Sequence, residues 1–262
     1  MSQPHSIYFY LLMAIMLLAA LVSLSLGSLF FLKSTGSKRG NAFFGFLEIA
    51  FGLTLLHNTL TIWGFFEAYP EWKFLPIYFT LTLPVLIFFY VKCTLYPHYR
   101  LKWSDLKHFL LPVSQMVYFV LYFFQPVLVK ANLGRSFFNP FFGAFEQTLY
   151  IVGFLGYLYF AYRYIRVRAS KATNKIALKQ IWYLNKFVKI LLYLFLIHLG
   201  FIVIDYAGYQ VFNINFQASK PFAGMGAMSF TAMVIWVNIY GFQVLIWGRR
   251  VFLPVGKRSK RA

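Results

Sequence analysis

Charge is scarce in this chain. Only 12% of its 262 residues are Asp, Glu, Lys or Arg, where soluble domains carry about a quarter. Acidic residues are scarcer still, six against 25 Lys and Arg, which leaves a formal net charge of +19. With 60% of residues hydrophobic, the polar surface is too small to cover a water-soluble globule. Cysteine is nearly absent. The single Cys93 excludes an internal disulfide, so nothing depends on an oxidising compartment. It reads as a small buried thiol near a helix end, or less simply as a lipidation site. Catalytic motifs are also missing: no H-E-x-x-H, Gly-rich phosphate loop, nucleophile elbow or paired catalytic carboxylates occur. The last apolar run, "AMSFTAMVIWVNIYGFQVLIW", has no lysine for a retinal Schiff base. These absences point away from an enzyme, and no cofactor or metal is expected.

Apolar length is what the chain has. Runs of about 20 apolar residues match a hydrocarbon core about 30 Å thick. Seven such runs are predicted as spans, at about 7–32, 42–66, 75–95, 105–124, 142–166, 187–207 and 224–248. The expected fold is therefore an all-α, seven-transmembrane-helix bundle over residues 1–248, followed by a short basic tail over 249–262. The first run is longer than a signal-peptide core, and no Lys or Arg precedes it, so it is expected to be a retained span. No connection is long enough for a soluble domain. The longest, 125–141, 167–186 and 208–223, are expected as loops or short surface helices.

In a soluble protein the net charge would point to nucleic acid; in a membrane chain it points to topology, because Lys and Arg gather on the cytoplasmic side. On the side reached after spans 1, 3, 5 and 7 lie all of the 25 cations except Lys73, Lys130, Arg135 and Lys220. The expectation is a multi-pass protein of a bacterial inner (cytoplasmic) membrane, N-terminus outside and C-terminus inside. Lys171, Lys175, Lys179 and then Lys186 fall near one helical stripe. With Arg249, Arg250, Lys257 and Arg258 they form a candidate surface for anionic lipid or a protein partner. Solvated connections obeying the charge rule explain the same residues.

Ionisable groups within the spans are costly and should face protein or a wet cavity. In the expected orientation His57, Asn58, Glu146, Gln147 and Asp205 fall in the outer third, with His198 nearer the middle. Thr54 and Thr61 share the His57 face, and His198 and Asp205 lie seven residues apart on one face. Together these residues could line an outward-facing ligand pocket. Interhelical hydrogen bonding that glues the bundle is the alternative. Pro84 and Pro112 could break helices, but no repeated pair of interrupted spans marks a transporter.

Spans 1 to 4 resemble, as a group, a known arrangement. They run through "KSTGSKRGNAFFGFLEIAFGLTLLHN", "AYPEWKFLPIYFTLTLPVLIFFYVKC" and "YRLKWSDLKHFLLPV". This is similar to the seven-span N-terminal region of membrane-bound AraC-type transcriptional regulators of Bacteroidota-like bacteria. The matching positions are Pro84, Tyr90, Lys92, Trp103, Asp105, His108, Phe109 and Pro112, with "IWGRRVFLP" at the end of the last span. The resemblance implies an outward-facing sensor bundle that delivers its signal at the cytoplasmic end of span 7. In those regulators a helix-turn-helix domain follows the last span, whereas this sequence ends soon after Trp247. No direct contact with nucleic acid is therefore expected. The first functional expectation is a sensor or signal-transducing module acting through a separate membrane or cytoplasmic protein. The second is an accessory or scaffold subunit of a membrane complex, and the third a transporter or membrane enzyme.

Overall fold

The computed structural model describes residues 7–133, 139–141, 143–216 and 219–251, with side chains at all of these except 220 and 247–251. Every regular element among the described residues is helical, with no strand. The helices are α1 (Ile7–Leu32), α2 (Lys38–Trp63), α3 (Phe65–Ala68), α4 (Thr82–Leu95), α5 (Leu110–Phe123), α6 (Val127–Asn132), α7 (Ala144–Ala169), α8 (Lys175–Val211) and α9 (Lys220–Val251). Two short 3-10 turns, Pro70–Trp72 and Trp103–Phe109, precede α4 and α5.

Local chemistry sets several boundaries. Ser37 Oγ accepts from the Gly40 amide at 3.1 Å and caps α2. Gly64, left-handed at φ 81°, ends it by donating to the Leu60 and Thr61 carbonyls. Asn174 Oδ1 caps α8 through the Ile176 amide at 3.0 Å. The third expected span, 75–95, is helical only from Thr82. Pro76 lacks an amide donor and biases Leu75 away from helix, and Phe74 before it sits at φ 68°. The non-helical stretch finds substitutes for helical hydrogen bonds. Phe79 N donates to Thr54 Oγ1 at 3.0 Å and Leu81 N to Gln115 Oε1 at 3.2 Å. Such pairing is what lets irregular backbone exist away from water.

Two connections are more helical than the sequence pattern implied. Most of 167–186 is the first third of α8, whose 37 residues give a rod about 55 Å long. The last part of 208–223 is the start of α9, and 125–141 contains α6.

The long helices form a ring in which α1 packs on α2, α2 on α4, α4 on α7, α7 on α8, α8 on α9, and α9 on α1, with α2 also touching α9 across it. One core runs through the ring, with Phe44, Phe51, Phe154, Phe187 and Phe195 fully buried. Helix α4 is enclosed: every residue from Leu83 to Leu95 is buried. α5 is peripheral and buries only Pro112, Gln115 and Phe119.

Among the described residues, five helical segments are long and apolar enough to cross a membrane: Ile7–Leu32, Lys38–Trp63, Trp103–Phe123, Lys175–Val211 and Pro221–Ile246. α4, at 14 residues, is a shorter apolar helix. α7 is 26 residues long, but holds Glu146 in its first turn and Arg166 and Arg168 in its last.

The tightest seam joins α1 and α2. A Cβ at Gly27 would lie 2.8 Å from the Gly45 carbonyl oxygen, and one at Gly45 2.9 Å from that of Gly27. A turn cycle away, a Cβ at Gly52 would meet the Ala20 oxygen at 3.0 Å. Small residues seven apart on each antiparallel helix let the two backbones touch, which is how helices associate where lipid is as apolar as leucine. Gly45→Leu should therefore lower stability by about 1–3 kcal/mol through overpacking. Thermal unfolding in detergent measures it, with exposed Phe46→Leu as a variant expected to change nothing.

Candidate functional site

The end of the bundle opposite the basic connections holds a buried cluster built from α5, α7 and the chain entering α4. Glu146, in the first turn of α7, accepts on Oε1 from Thr80 Oγ1 at 2.8 Å and from Gln115 Nε2 at 2.6 Å. Gln115 Nε2 also lies 2.9 Å from Thr80 Oγ1, and its Oε1 receives the Leu81 amide. Glu146, Thr80 and Gln115 are all buried. One carboxyl thus joins the non-helical entrance to α4, the middle of α5 and the start of α7.

The expected site residues fall around this cluster to different degrees. His57 adjoins it through Tyr78, two residues before Thr80, with ring centroids 4.9 Å apart. Phe66 and Phe119 complete the His57 surround, and its Nδ1 is buried without a hydrogen-bond partner among the described residues. Asn58 beside it is half-buried. Of the threonines on the His57 face, Thr54 pins Phe79, while Thr61 bonds back to the His57 carbonyl at 2.9 Å. His198 reaches the cluster's flank: its Nδ1 is 2.8 Å from Ser229 Oγ, and its ring is 6.2 Å from that of Tyr150, one turn along from Glu146. Gln147 is half-buried next to Glu146. Asp205 is buried near the end of α8, one turn before Gly208, which packs under Phe216. The structure therefore groups Glu146 with His57 on one side and His198 on the other. Among the described residues no three His, Cys, Asp or Glu side chains are arranged to hold a metal.

A cap of loops closes over the same end. Lys73 Nζ donates to the Lys130 carbonyl at 2.8 Å, and Lys130 Nζ returns to the Glu71 carbonyl at 2.6 Å. Burial pulls both ammonium groups below the usual lysine range.

The opposite end carries the cations. Lys33 Nζ donates to the Val244 carbonyl at 3.0 Å, tying α1 to α9, and Gln180 Nε2 to the Thr94 carbonyl at 3.1 Å. Arg39 donates to the Tyr99 carbonyl. Lys92 bonds Tyr99 Oη at 2.7 Å and Asp105 Oδ1 at 3.3 Å, while Tyr99 donates to Asp105 Oδ2 at 2.5 Å and the Lys102 amide to the same oxygen at 2.8 Å. This is the single ion pair among the described residues, and both side chains are about nine-tenths buried. Lys171, Lys175 and Lys179 are exposed at this end, around the start of α8. Arg249 and Arg250 lie in the last turn of α9 without described side chains, and Lys257 and Arg258 lie outside the described residues.

Two residues were not singled out from sequence. Thr80 and Gln115 became meaningful only when α4 and α5 were seen side by side; the one available signal was a glutamine in an otherwise apolar run. Glu48, an ionisable residue that the sequence places near the inner end of the second span, is wholly buried between α1, α2 and α9. Ser23 Oγ donates to its Oε2 at 2.7 Å, Oε1 has no partner among the described residues, and a Cβ at Gly241 would come within 2.6 Å of that Oε1. No protein-family model, curated protein or solved structure matches the chain, so the site is read from its own geometry.

Removing the acid of the Lys92 pair isolates a buried ammonium. Asp105→Asn should cost on the order of 3 kcal/mol, read as a lowered unfolding temperature. Lys92→Met combined with Asp105→Asn should recover much of the loss, because no unpaired charge remains; failure to recover would assign the effect to the Lys102 and Tyr99 bonds instead.

Proposed function

We propose that the chain is a seven-span membrane sensor or signal-transducing module, with its N-terminus and the Glu146 cluster outside and its basic end in the cytoplasm of a bacterial inner membrane. The observation that carries this reading is the Thr80–Gln115–Glu146 contact. A single buried carboxyl ties α5 and α7 to the chain entering α4, and α4 in turn ends at the Lys92–Tyr99–Asp105 cluster. A small polar ligand that competed for the Glu146 hydrogen bonds would favour a different placement of α4 and α5, and only such differential binding can shift a helix arrangement. The output would pass through the basic end to a separate protein. The resemblance to the membrane region of AraC-type regulators supports the same direction of signalling. The segregation of cations to one end supports the orientation.

An accessory subunit of a membrane complex is the second reading, favoured by α5. Its outer face exposes Leu110, Val113, Val117 and Leu121, and only three of its residues are buried, which leaves room for a partner helix.

Orientation is checked with single cysteines at the exposed positions Glu67 and Lys171 in a Cys93→Ala background. A membrane-impermeant maleimide should label position 67 in intact spheroplasts and position 171 only after lysis; the reverse pattern would overturn the topology. The sensor reading is checked by thermal unfolding of the chain in nanodiscs against amino acids, sugars and nucleosides. A stabilising compound is expected whose effect disappears in Glu146→Gln and His57→Ala. No shift with any compound, or equal shifts in the variants, would sink the outer site, and a fixed stoichiometric set of co-purifying membrane proteins would then establish the subunit reading.

A further inference from the structure

The first half of α8 reads "KIALKQIWYLNKFVKILLY". Leu184, Phe187, Val188 and Leu191 face the core. Trp182, Asn185, Lys186, Lys189, Ile190 and Tyr193 recur at spacings of three and four residues on the outward side, where they line a groove of about 310 Å³. Trp182 and Tyr193 are more than half exposed at its two ends, and the Lys186 ammonium stands over the Trp182 ring at 5.5 Å. Asn185 Oδ1 is buried there with no donor among the described residues.

The two lysines have no acid to pair with. Of the six carboxylates, Asp105 is held by Lys92, Glu48, Glu146 and Asp205 are buried within the bundle, and Glu67 and Glu71 belong to the opposite end. Helix α9 has no acid, and the last turn of α7 is basic. Beyond Tyr193 the same helix exposes Leu196, Ile197, Val203 and Ile204, an apolar surface suited to acyl chains. Along α8 the order is Trp182, then Lys186 and Lys189, then Tyr193 and the exposed aliphatics, so that from the lysines onward the surface passes from charge through an aromatic to apolar side chains, as a lipid does from phosphate to tail.

We propose that this groove holds an anionic glycerophospholipid with a hydroxyl-bearing headgroup. Its phosphate sits between Lys186 and Lys189, a turn of the Asn185 side chain brings its unpaired Oδ1 out to accept from a headgroup hydroxyl, and its chains follow Ile190, Tyr193 and Ile197 along α8. The site is distinct from a diffuse attraction of Lys171, Lys175 and Lys179 to a charged leaflet, because it binds one lipid by named contacts. It rests on α8 crossing a bilayer and not on the sensor reading.

Native mass spectrometry of the chain released from vesicles of equal phosphatidylglycerol and phosphatidylcholine tests it. Wild type should retain phosphatidylglycerol over phosphatidylcholine. Lys186→Gln with Lys189→Gln should lower that retention about 25-fold, about fivefold per lysine, while Lys175→Gln with Lys179→Gln should keep it. Arg at positions 186 and 189 should also keep it, which separates lost charge from misfolding. In vesicles where phosphatidylmethanol, a phosphodiester of the same charge with no headgroup hydroxyl, replaces phosphatidylcholine, wild type should prefer phosphatidylglycerol and Asn185→Leu should not. Equal retention of all lipids by wild type, unchanged retention in the 186/189 glutamine variant, or an equal loss in the 175/179 variant would each overturn the site. An undiminished phosphatidylglycerol preference in Asn185→Leu would overturn the headgroup contact.

Discussion

Enclosure of α4 is the constraint on which the rest of the structure depends. A helix buried on every face offers lipid and water nothing, so each of its neighbours must supply complementary surface. The aromatic content answers that need. Phe43 and Phe109 stack on the two sides of Phe89, Tyr90 bonds Tyr240 through their hydroxyls at 2.9 Å, and Phe88 packs against Tyr157 and Tyr164. With large rings filling the space around α4, the helix needs only 14 residues, because the chain before it, 75–81, is held by side chains from α2 and α5 instead of by its own turns. Burial of α4 and irregularity at its entrance are therefore one arrangement. The second is possible only because the first shields it from lipid.

The seam of α1 against α2 follows a different rule. There the contact is backbone on backbone at Gly27 and Gly45, and Glu48 is placed one turn from Gly45 with Ser23 as its donor. Ser23 Oγ reaches both the Glu48 carbonyl at 2.9 Å and its carboxyl at 2.7 Å, a geometry available only where two helices approach this closely. Asn238 of α9 donates to the Ala19 carbonyl at 3.0 Å on the same side. A polar layer therefore joins α1, α2 and α9 inside a bundle that is otherwise packed by rings. Interhelical bonds of this kind are worth about 0.6–2 kcal/mol each in membranes, so the layer sets which faces meet more than it sets total stability.

Much of this was legible in the sequence, and the exceptions have physical causes. The apolar runs located the long helices to within a few residues at Ile7–Leu32, Ala144–Ala169 and the core of α8. The charge bias anticipated that Lys33, Arg39, Lys92 and Lys171 would lie at one end, as their contacts and exposure now place them. Hydropathy could not see that 75–81 is non-helical, because its residues are as apolar as a helix would need, and only Pro76 gave a sign. Nor could it see that 175–186 continues α8: basic residues are good helix formers once Asn174 caps them. Tyr78 links His57 to the Glu146 cluster and His198 flanks it through Tyr150, contacts that the helix face shared by His198 and Asp205 does not foretell. Shared faces on one helix say nothing about which neighbour each residue meets.

The two ends of α4 differ in kind, and that difference bears on the sensor reading. At its start, Glu146 accepts from the uncharged donors Thr80 and Gln115, and among the described residues no cation is bonded to it. At its end, Lys92 and Asp105 are matched in charge and also bonded to Tyr99. A matched pair with a shared hydroxyl has little to gain from a newcomer, whereas a carboxyl held only by neutral donors gains from any ligand that brings charge or more donors. Close-packed interiors shift between discrete arrangements and resist gradual deformation. A change in the bonds at Thr80 would therefore move α4 as a body and be felt where Tyr99 meets Arg39 of α2. Under the sensor function proposed above, the weakly compensated end would be the input and the charge-locked end the output.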